Sequence, residues 1–253
     1  MRDNCRYSYN FNIFIRMKKI TLLLIAALFS TLPMAAKAKK TLYLAGDGTM
    51  AEYADSTACG WGQKIGEYLA PHVEIVNVAQ LGQSAKTFID EKIVEQLEKL
   101  RSRSMVLIQF GVNDLKEYDA SKFSSLEAFG RRLNEIISIG HQYRINIILC
   151  TPLAQPYYKD GKLIDRFGGY AEEIRRVATY NHVALLDLEQ ATRTWLESIT
   201  EEEAAAFYVT LDKTQLVNGE FQLNQAGAEH VASMVKDAMV NVNSKKLKKL
   251  LKK

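Results

Sequence analysis

The stretch TLYLAGDGT, residues 41–49, decides the fold of this chain. Its first five residues are almost continuously apolar, which is the pattern of a short buried strand. Gly46-Asp47-Gly48-Thr49 follows directly. In a parallel sheet, the ends of such strands lie at the edge where ligands bind. We therefore expect a functional site to begin at this turn.

Apolar runs and amphipathic stripes alternate along the rest of the chain. The runs predict strands at residues 73–79, 105–110, 145–150 and 183–187. Ser124 and Glu127 have capping-box spacing and predict the start of one helix. Helical stripes are formed by Trp61, Ile65, Tyr68 and Leu69, by Leu126, Phe129, Leu133, Ile136 and Ile137, and by Ala228, Val231, Val235, Ala238, Met239 and Val242. The alternation predicts an α/β fold, a three-layer α/β/α sandwich with a five-stranded parallel sheet.

Residues 1–38 have the features of a targeting segment. Met17-Lys18-Lys19 is a short basic start, residues 20–32 are an apolar run, and Ala36-Lys37-Ala38 has the small residues of a cleavage site. These features predict a signal peptide cut after Ala38, with Met17 as an alternative first residue. We expect a secreted or periplasmic protein without a membrane span after cleavage. The alternative is an uncleaved membrane anchor.

The rest of the chain predicts one domain, residues 39–243, and a basic tail, residues 244–253. The sequence has 33 Lys and Arg against 29 Asp and Glu, but six of the basic residues precede residue 39 and six lysines lie in the tail. The domain itself holds 21 basic and 28 acidic residues, a net charge of −7. An acidic body argues against nucleic-acid binding. We expect the tail to be a frayed, solvated helix end, with contact to anionic lipid or polyanions as the alternative.

Two cysteines, Cys59 and Cys150, remain after the predicted cleavage. No CxxC motif and no Cys/His cluster in the sequence indicates zinc, so we expect neither a metal nor a cofactor. Both cysteines are expected near the same edge of the sheet. In an oxidising compartment they could pair, and two free thiols are the other possibility.

Three sequence blocks follow predicted strands, and a fourth opens the last helix. They are Gly46-Asp47-Gly48-Thr49-Met50-Ala51, Asn77-Val78-Ala79-Gln80-Leu81-Gly82-Gln83-Ser84, Gly111-Val112-Asn113-Asp114 and Asn224-Gln225-Ala226-Gly227-Ala228. In this order the blocks resemble those of the SGNH/GDSL hydrolases, within them the rhamnogalacturonan acetylesterase-like branch. The resemblance implies the flavodoxin-like SGNH-hydrolase sandwich and an ester hydrolase that acts on acetylated polysaccharide.

The resemblance implies a role for each block. The family's nucleophilic serine falls at Gly48, which has no side chain. Gly82 would lend its backbone N–H, and Asn113 its side-chain N–H, to an oxyanion hole. Asp47 would be a structural carboxylate that accepts hydrogen bonds from backbone near the turn. Thr49 is expected to cap the following helix.

The family's Asp-x-x-His block has two possible positions in this chain. Asp212-Lys213-Thr214-Gln215 puts Asp212 at the aspartate position and Gln215 at the histidine position. Alignment from the last helix instead puts Gly219 and Gln222 there. Either alignment leaves glutamine where the base belongs. A neutral amide does not titrate near neutral pH and cannot replace an imidazole.

Ester hydrolysis by this route needs an attacking hydroxyl, a histidine that moves its proton, and donors for the oxyanion. The sequence retains the donors and lacks the first two groups. Thr49, Ser56 and Cys59 lie near the vacant position, but more ordinary roles are expected for each. The histidines are expected elsewhere: His72, His141 and His182 at the opposite edge of the sheet, and His230 packed on the last helix.

Two functions remain open at this point. The first is a catalytically silent protein that binds a carbohydrate or protein partner through the old cleft. Aromatic residues that could line this cleft are Tyr53, Trp61, Tyr157 and Tyr158. The second is an active esterase that removes O-acetyl groups from a polysaccharide with a non-standard site. The resemblance implies an acetylated polysaccharide or pectic oligosaccharide as partner, and the oligomeric state is open. An open polar cleft at Gly48 would favour binding there, and a filled one would favour a scaffolding role.

Overall fold

The computed structural model describes residues 39–54, 57–90, 95, 97, 100, 104–216 and 219–252. The predicted signal peptide and Ser56 lie outside these residues. The strands are β1 Lys40–Gly46, β2 Val73–Asn77, β3 Met105–Gln109, β4 Asn146–Cys150, β5 Tyr158–Lys159, β6 Lys162–Leu163 and β7 Ala184–Leu186. Five of them form a parallel sheet in the order β2-β1-β3-β4-β7, while β5 and β6 form a separate antiparallel hairpin. The predicted five-stranded parallel sheet is confirmed.

Helices cover both faces of the sheet. They are α1 Trp61–Lys64, α2 Ala85–Asp90, α3 Leu126–Gln142, α4 Tyr170–Tyr180, α5 Leu188–Glu197, α6 Glu201–Ala205, α7 Gln225–Asn241 and α8 Lys245–Lys248. A 3-10 turn, Ile65–Tyr68, continues α1. Within the described ranges, no helix is both long and apolar enough to cross a membrane.

The cap of α3 differs from the prediction by one residue. Ser125, not Ser124, caps the helix by accepting a hydrogen bond from the backbone N–H of Ala128 at 3.3 Å. Ser124 is already engaged, because its Oγ accepts from Arg132 at 3.2 Å and its backbone N–H donates to Asp114. The capping-box spacing therefore located the helix but not its cap.

The central strand β1 shows why the fold has three layers. Leu42 and Leu44 pack into the apolar cluster that α1, α5 and α7 share, whereas Tyr43 and Ala45 pack into the one shared by α2, α3 and α4. Alternate residues of one strand are thus buried on opposite faces. Apolar burial on both faces, at about 25 cal/mol per Å² of surface removed from water, is the main stabilising contribution to the fold.

The strand order also fixes where the functional site lies. The chain leaves β1 for β2 on one side and then crosses to β3 on the other, and Gly46 at the end of β1 is in register with Gln109 at the end of β3. This reversal is the switch point at which parallel α/β sheets bind ligands. The loops after β1, β2 and β3 carry the first three sequence blocks to this point.

The basic tail is part of the domain, so the prediction of a frayed helix end is wrong. Leu247 and Leu250 are fully buried in the same cluster as α7. The backbone N–H of Ala70 donates to Leu250 at 2.7 Å, and that of Lys252 donates to Tyr68 at 2.8 Å. The leucines turn inward between exposed lysines, and this apolar contact holds the tail in place.

Candidate active site

The turn after β1 is held by a buried carboxylate. Oδ1 of Asp47 accepts from the backbone N–H of Thr49 at 2.9 Å, from its hydroxyl at 2.6 Å, and from the side-chain amide of Gln109 at 3.1 Å. Asp47 is therefore the structural carboxylate that the resemblance implied. The Thr49 hydroxyl donates to Asp47 and accepts from Gln109 at 2.7 Å. The prediction that Thr49 caps a helix is therefore wrong, because the Thr49 hydroxyl is hydrogen-bonded to Asp47 and Gln109 instead.

Three N–H donors converge beside this turn, one from each of the loops after β1, β2 and β3. They belong to the backbone of Gly48, the backbone of Gly82 and the side-chain amide of Asn113. Gly82 has a φ of 83°, a left-handed conformation that glycine adopts without strain. The Asn113 amide is oriented by a second hydrogen bond, to the backbone carbonyl of Gln83 at 2.9 Å. The structure thus brings together Gly48, Gly82 and Asn113, and their role as an oxyanion hole stays a prediction.

Asp114, the last residue of the third block, fixes the loop that carries Asn113. Its carboxylate accepts from the backbone N–H of Ala85 at 3.0 and 3.1 Å and from that of Gly111 at 3.1 Å. Burial raises the pKa of Asp114 to about 7, against the lowering effect of these hydrogen bonds. The side chain thereby ties the loop after β3 to the start of α2.

A carboxyl group of the chain itself occupies the space between the three donors. Oε2 of Glu220 accepts from Gly48 at 3.1 Å, while Oε1 accepts from Gly82 at 2.7 Å and from Asn113 at 2.8 Å. Glu220 is only 1% exposed. Sequence reasoning missed this residue. The available signal was an acidic residue in the apolar run before α7, next to the position where the family has its aspartate.

The charges around Glu220 are buried and close together. The Lys116 ammonium lies 4.0 Å from Oε1 of Glu220 and donates to Oδ1 of Asn113 at 2.5 Å. Burial raises the pKa of Glu220 to about 7, with a further contribution from Asp47, and Lys116 opposes this rise. Burial also raises the pKa of Asp47, whose Oδ2 is buried without a hydrogen-bond partner in the part of the chain that the structure describes. Burial lowers the pKa of Lys116.

The space that a side chain at position 48 would need is filled. A Cβ added to Gly48 would lie 2.6 Å from Cδ1 of Leu81, 2.8 Å from Oε2 of Glu220 and 2.9 Å from the hydroxyl of Tyr53. The Tyr53 hydroxyl also donates to the carbonyl of Gly48 at 2.9 Å. Next to Glu220 and Thr49, a cavity of about 10 Å³ remains, which is enough for about one water molecule.

The two alternative histidine positions are in different surroundings. Gln222 is half-buried, and its amide lies 3.4 Å from the Tyr53 hydroxyl that contacts Gly48. Asp212 and Gln215 are exposed, and the Asp212 carboxylate closes its own turn by accepting from Thr214. The structure therefore places Gln222 beside Tyr53, which contacts Gly48, and leaves Asp212 and Gln215 in a surface turn.

Comparison with known proteins accounts for this arrangement of blocks. The model of the GDSL-like lipase/acylhydrolase family matches residues 44–229, which include all three donors and Glu220. The chain belongs to this family.

Relatives within the GDSL-like family are named as carbohydrate esterases. The probable rhamnogalacturonan acetylesterase YesY of Bacillus subtilis (strain 168) is 26% identical over 197 residues, 77% of this chain and 89% of that protein. The rhamnogalacturonan acetylesterase RhgT of the same strain is 24% identical over 208 residues, 78% of this chain and 88% of that protein.

Solved structures support the fold. A catalytic mutant of Axe2, an acetylxylan esterase from Geobacillus stearothermophilus, has a TM-score of 0.60 at 15% identity, covering 81% of this chain and 96% of that one. The Bacillus subtilis protein YXIM has a TM-score of 0.69 at 23% identity, covering 80% of this chain and 56% of that one. This chain therefore spans little more than half of YXIM.

The histidines do not supply the base of a GDSL hydrolase. His230 packs between Trp195 and Phe207, with ring centroids 4.5 and 5.5 Å away, and burial lowers its pKa. His141 and His182 line a cavity at the opposite edge of the sheet. His72 precedes β2 at that same edge.

The cysteines are also outside the chemistry of the site. Cys59 and Cys150 are buried free thiols, so the disulfide left open by the sequence does not form. Burial raises the pKa of both thiols, which disfavours the reactive thiolate. Among the residues that the structure describes, no cluster of three or more His, Cys, Asp or Glu side chains could hold a metal ion.

Most of the predicted cleft aromatics are not available to a ligand. Trp61 is fully buried and donates to Gln109 at 3.1 Å. Tyr158 is buried and its hydroxyl donates to a backbone carbonyl at 2.8 Å. The ring of Tyr157 carries two cations, with Arg166 4.5 Å and Lys213 3.8 Å from its centroid. Cations on this ring compete with the stacking of a sugar.

Proposed function

We propose that this chain is a non-hydrolytic member of the GDSL-like family that binds a carbohydrate and does not cleave it. Its family and its relatives establish an acetylesterase-like protein. The loss of catalysis is our proposal, and the position of the Glu220 carboxyl group carries it.

Glu220 accepts hydrogen bonds from the N–H donors on which esterase chemistry depends. Donors in an oxyanion hole accelerate ester hydrolysis because they bind the negative oxygen that forms in the transition state. Here Gly48, Gly82 and Asn113 already donate to a carboxyl group of the chain. An ester carbonyl would have to displace that group. Each hydrogen bond to a charged group contributes roughly 1.5–3 kcal/mol, so the displacement is strongly unfavourable.

The groups that move the proton are also missing from the site. Position 48 has no hydroxyl, and Gln222, one of the two possible occupants of the histidine position, has an amide that neither accepts a proton nor returns one. Thr49 is held by Asp47 and Gln109. The described part of the chain therefore places no hydroxyl in contact with a histidine at the switch point, and the Thr49 hydroxyl there donates to Asp47.

The partner that the relatives favour is an acetylated polysaccharide of the pectic class. Two relatives are named for rhamnogalacturonan, and the predicted signal peptide would bring the protein to the compartment where such polymers occur. Because Glu220 fills the space between the three N–H donors, we place binding on a surface outside this site and assign a scaffolding role to the site itself. A protein partner remains the alternative occupant of such a surface.

One observation favours an active esterase as the second candidate. The donors of Gly82 and Asn113 are still positioned for an oxyanion. This function would require the Glu220 side chain to leave the site when substrate arrives.

Acetate release tests the proposal. The purified protein is given a chromogenic acetate ester and acetylated rhamnogalacturonan, and binding of the polysaccharide is measured in parallel. We expect binding without turnover above the blank. Turnover that disappears in Asn113→Ala but persists in Asn134→Ala, a control on the far face of α3, would establish the esterase instead. Absence of both binding and turnover would refute the carbohydrate-binding function.

A further inference from the structure

A cavity lies at the edge of the sheet opposite Gly48. It has a volume of about 710 Å³, within the usual range for small-molecule sites. Its walls come from the first residues of β3, β4 and β7, from the loops before β4 and β7, and from the tail. We call it the basic cleft, defined by His141, Asn146, His182, Lys245 and Lys246.

The charge of the basic cleft is opposite to that of the domain around it. Residues 39–243 carry a net charge of −7, yet two lysines and two histidines line the basic cleft, and none of the lining residues that the structure describes is acidic. In the described part of the chain, neither Lys245 nor Lys246 forms an ion pair; the Lys246 ammonium donates to Oδ1 of Asn146 at 2.6 Å. A concave site lined by uncompensated positive charge attracts an anionic ligand.

The segment that carries the lysines of the basic cleft is anchored to the domain. Leu247 and Leu250 anchor the tail, being 0% exposed, and Leu251 pairs with Leu69 through a β-bridge. This anchoring also argues against a membrane as the partner. A helix that binds a bilayer needs a free apolar face, and here that face is buried in the domain.

We propose that the basic cleft binds the uronate carboxylates of an acidic polysaccharide. This inference rests on the proposed function and names the chemistry of its ligand. Lys245 and Lys246 would pair with the carboxylates, because ammonium groups bind carboxylates through charge-assisted hydrogen bonds. Asn243 and Ser244 offer hydrogen bonds to sugar hydroxyls, and the partly exposed Val242 gives an apolar surface for a sugar ring.

Two matched double variants of the full protein test the assignment. Lys245→Gln/Lys246→Gln removes two charges that line the basic cleft, and Lys248→Gln/Lys249→Gln removes two charges from the same tail that do not line it. Calorimetry with oligogalacturonate at 0.15 M salt, where long-range attraction is screened, measures the affinity of each. We expect the first variant to bind at least about tenfold more weakly and the second to change by less than about threefold.

The outcomes separate this inference from the proposed function. Equal losses in the two variants, or undiminished binding in the first, would overturn the basic cleft while leaving carbohydrate binding intact. Equal affinity for a neutral galactan oligosaccharide would show that binding does not depend on carboxylate groups, and would overturn their role in the proposal. Binding to phosphatidylserine vesicles without binding to oligogalacturonate would identify a membrane surface instead. Acetate release tests the hydrolytic question independently of all these results.

Discussion

Restoring a serine at position 48 is expected to destabilise the protein because Glu220 fills the space that the side chain needs. The new Cβ would approach Oε2 of Glu220 to 2.8 Å, Leu81 to 2.6 Å and the Tyr53 hydroxyl to 2.9 Å, all closer than ordinary contacts. Leu81 and Tyr53 can shift the ends of their side chains. Glu220 cannot shift without losing hydrogen bonds from Gly48, Gly82 and Asn113.

The size of the effect follows from these contacts. Overpacking of a filled site costs about 1–3 kcal/mol, and loss of one hydrogen bond to Glu220 adds roughly 1.5 kcal/mol. We expect Gly48→Ser to lower the free energy of unfolding by about 2.5–4.5 kcal/mol. For a domain of this size, that corresponds to a fall in Tm of roughly 5–18 °C. In a Glu220→Ala background the same change should cost less than about 1 kcal/mol, so the two substitutions are coupled.

Urea denaturation of the four proteins in this double-mutant cycle measures the coupling. Gly66→Ser is the matched control, because a Cβ there meets only Ile75, at 3.3 Å. The reasoning also predicts that Gly48→Ser/Gln222→His stays inactive as an esterase until Glu220→Ala is added. Additive free energies in the cycle, or an active two-residue variant that retains Glu220, would refute it.

Three further predictions follow from the burial of Glu220, of the two cysteines and of Leu250. Because the pKa of Glu220 rises from 4.5 to about 7 on folding, its contribution to stability is complete below pH 4.5 and is lost as the pH rises through 7. Urea denaturation should show that the free energy of unfolding falls by about 3 kcal/mol by pH 8, and that this fall is absent in Glu220→Gln. An equal fall in that variant would contradict the assignment. Cys59 and Cys150 should react with a maleimide only after unfolding, as peptide mapping would show; rapid labelling of either residue in the native protein would argue against its burial. Leu250→Ala should lower the free energy of unfolding by about 2–5 kcal/mol, since Leu250 is fully buried. Val240→Ala, on an exposed surface, should lower it little. Equal melting temperatures of the two variants would mean that the tail does not dock.

The sheet was predictable because its strands are covered on both faces. Apolar runs of five to seven residues separated by helical stripes admit few arrangements other than a parallel sheet between two helical layers. The convergence of Gly48, Gly82 and Asn113 followed from that sheet and from the family's blocks. In the sheet, the ends of the strands were misjudged, since apolar residues such as Val78 and Phe110 continue beyond the last residues of β2 and β3.

Glu220 was not predictable by the same reasoning. Its role depends on a contact between residues 172 positions apart, in a segment where the chain departs from the family's block. Sequence reasoning treats an acidic residue as solvated unless a partner is visible, since buried carboxylates are rare. Here two of the three partners are backbone N–H groups, which no side-chain pattern reveals. The surroundings of Gln222 and Gln215 could be distinguished only once this segment was placed.

The docked tail could have been recognised from its sequence. Leu247, Leu250 and Leu251 are spaced to lie on one face of a helix, and the six lysines were given more weight than this spacing. Apolar side chains on one face bury themselves even when every neighbour is charged. Two of the six tail lysines, Lys245 and Lys246, are thereby placed at the basic cleft.

An NMR titration of the Gly48 and Gly82 amide protons tests most directly whether the carboxyl group of Glu220 occupies the oxyanion hole. Both amides donate to this group, at 3.1 and 2.7 Å, so its ionisation should move both resonances downfield together. The account predicts a shared inflection near pH 7 that is absent in Glu220→Gln. Resonances that stay constant between pH 5 and pH 9, or that titrate unchanged in the variant, would show that Glu220 lies elsewhere.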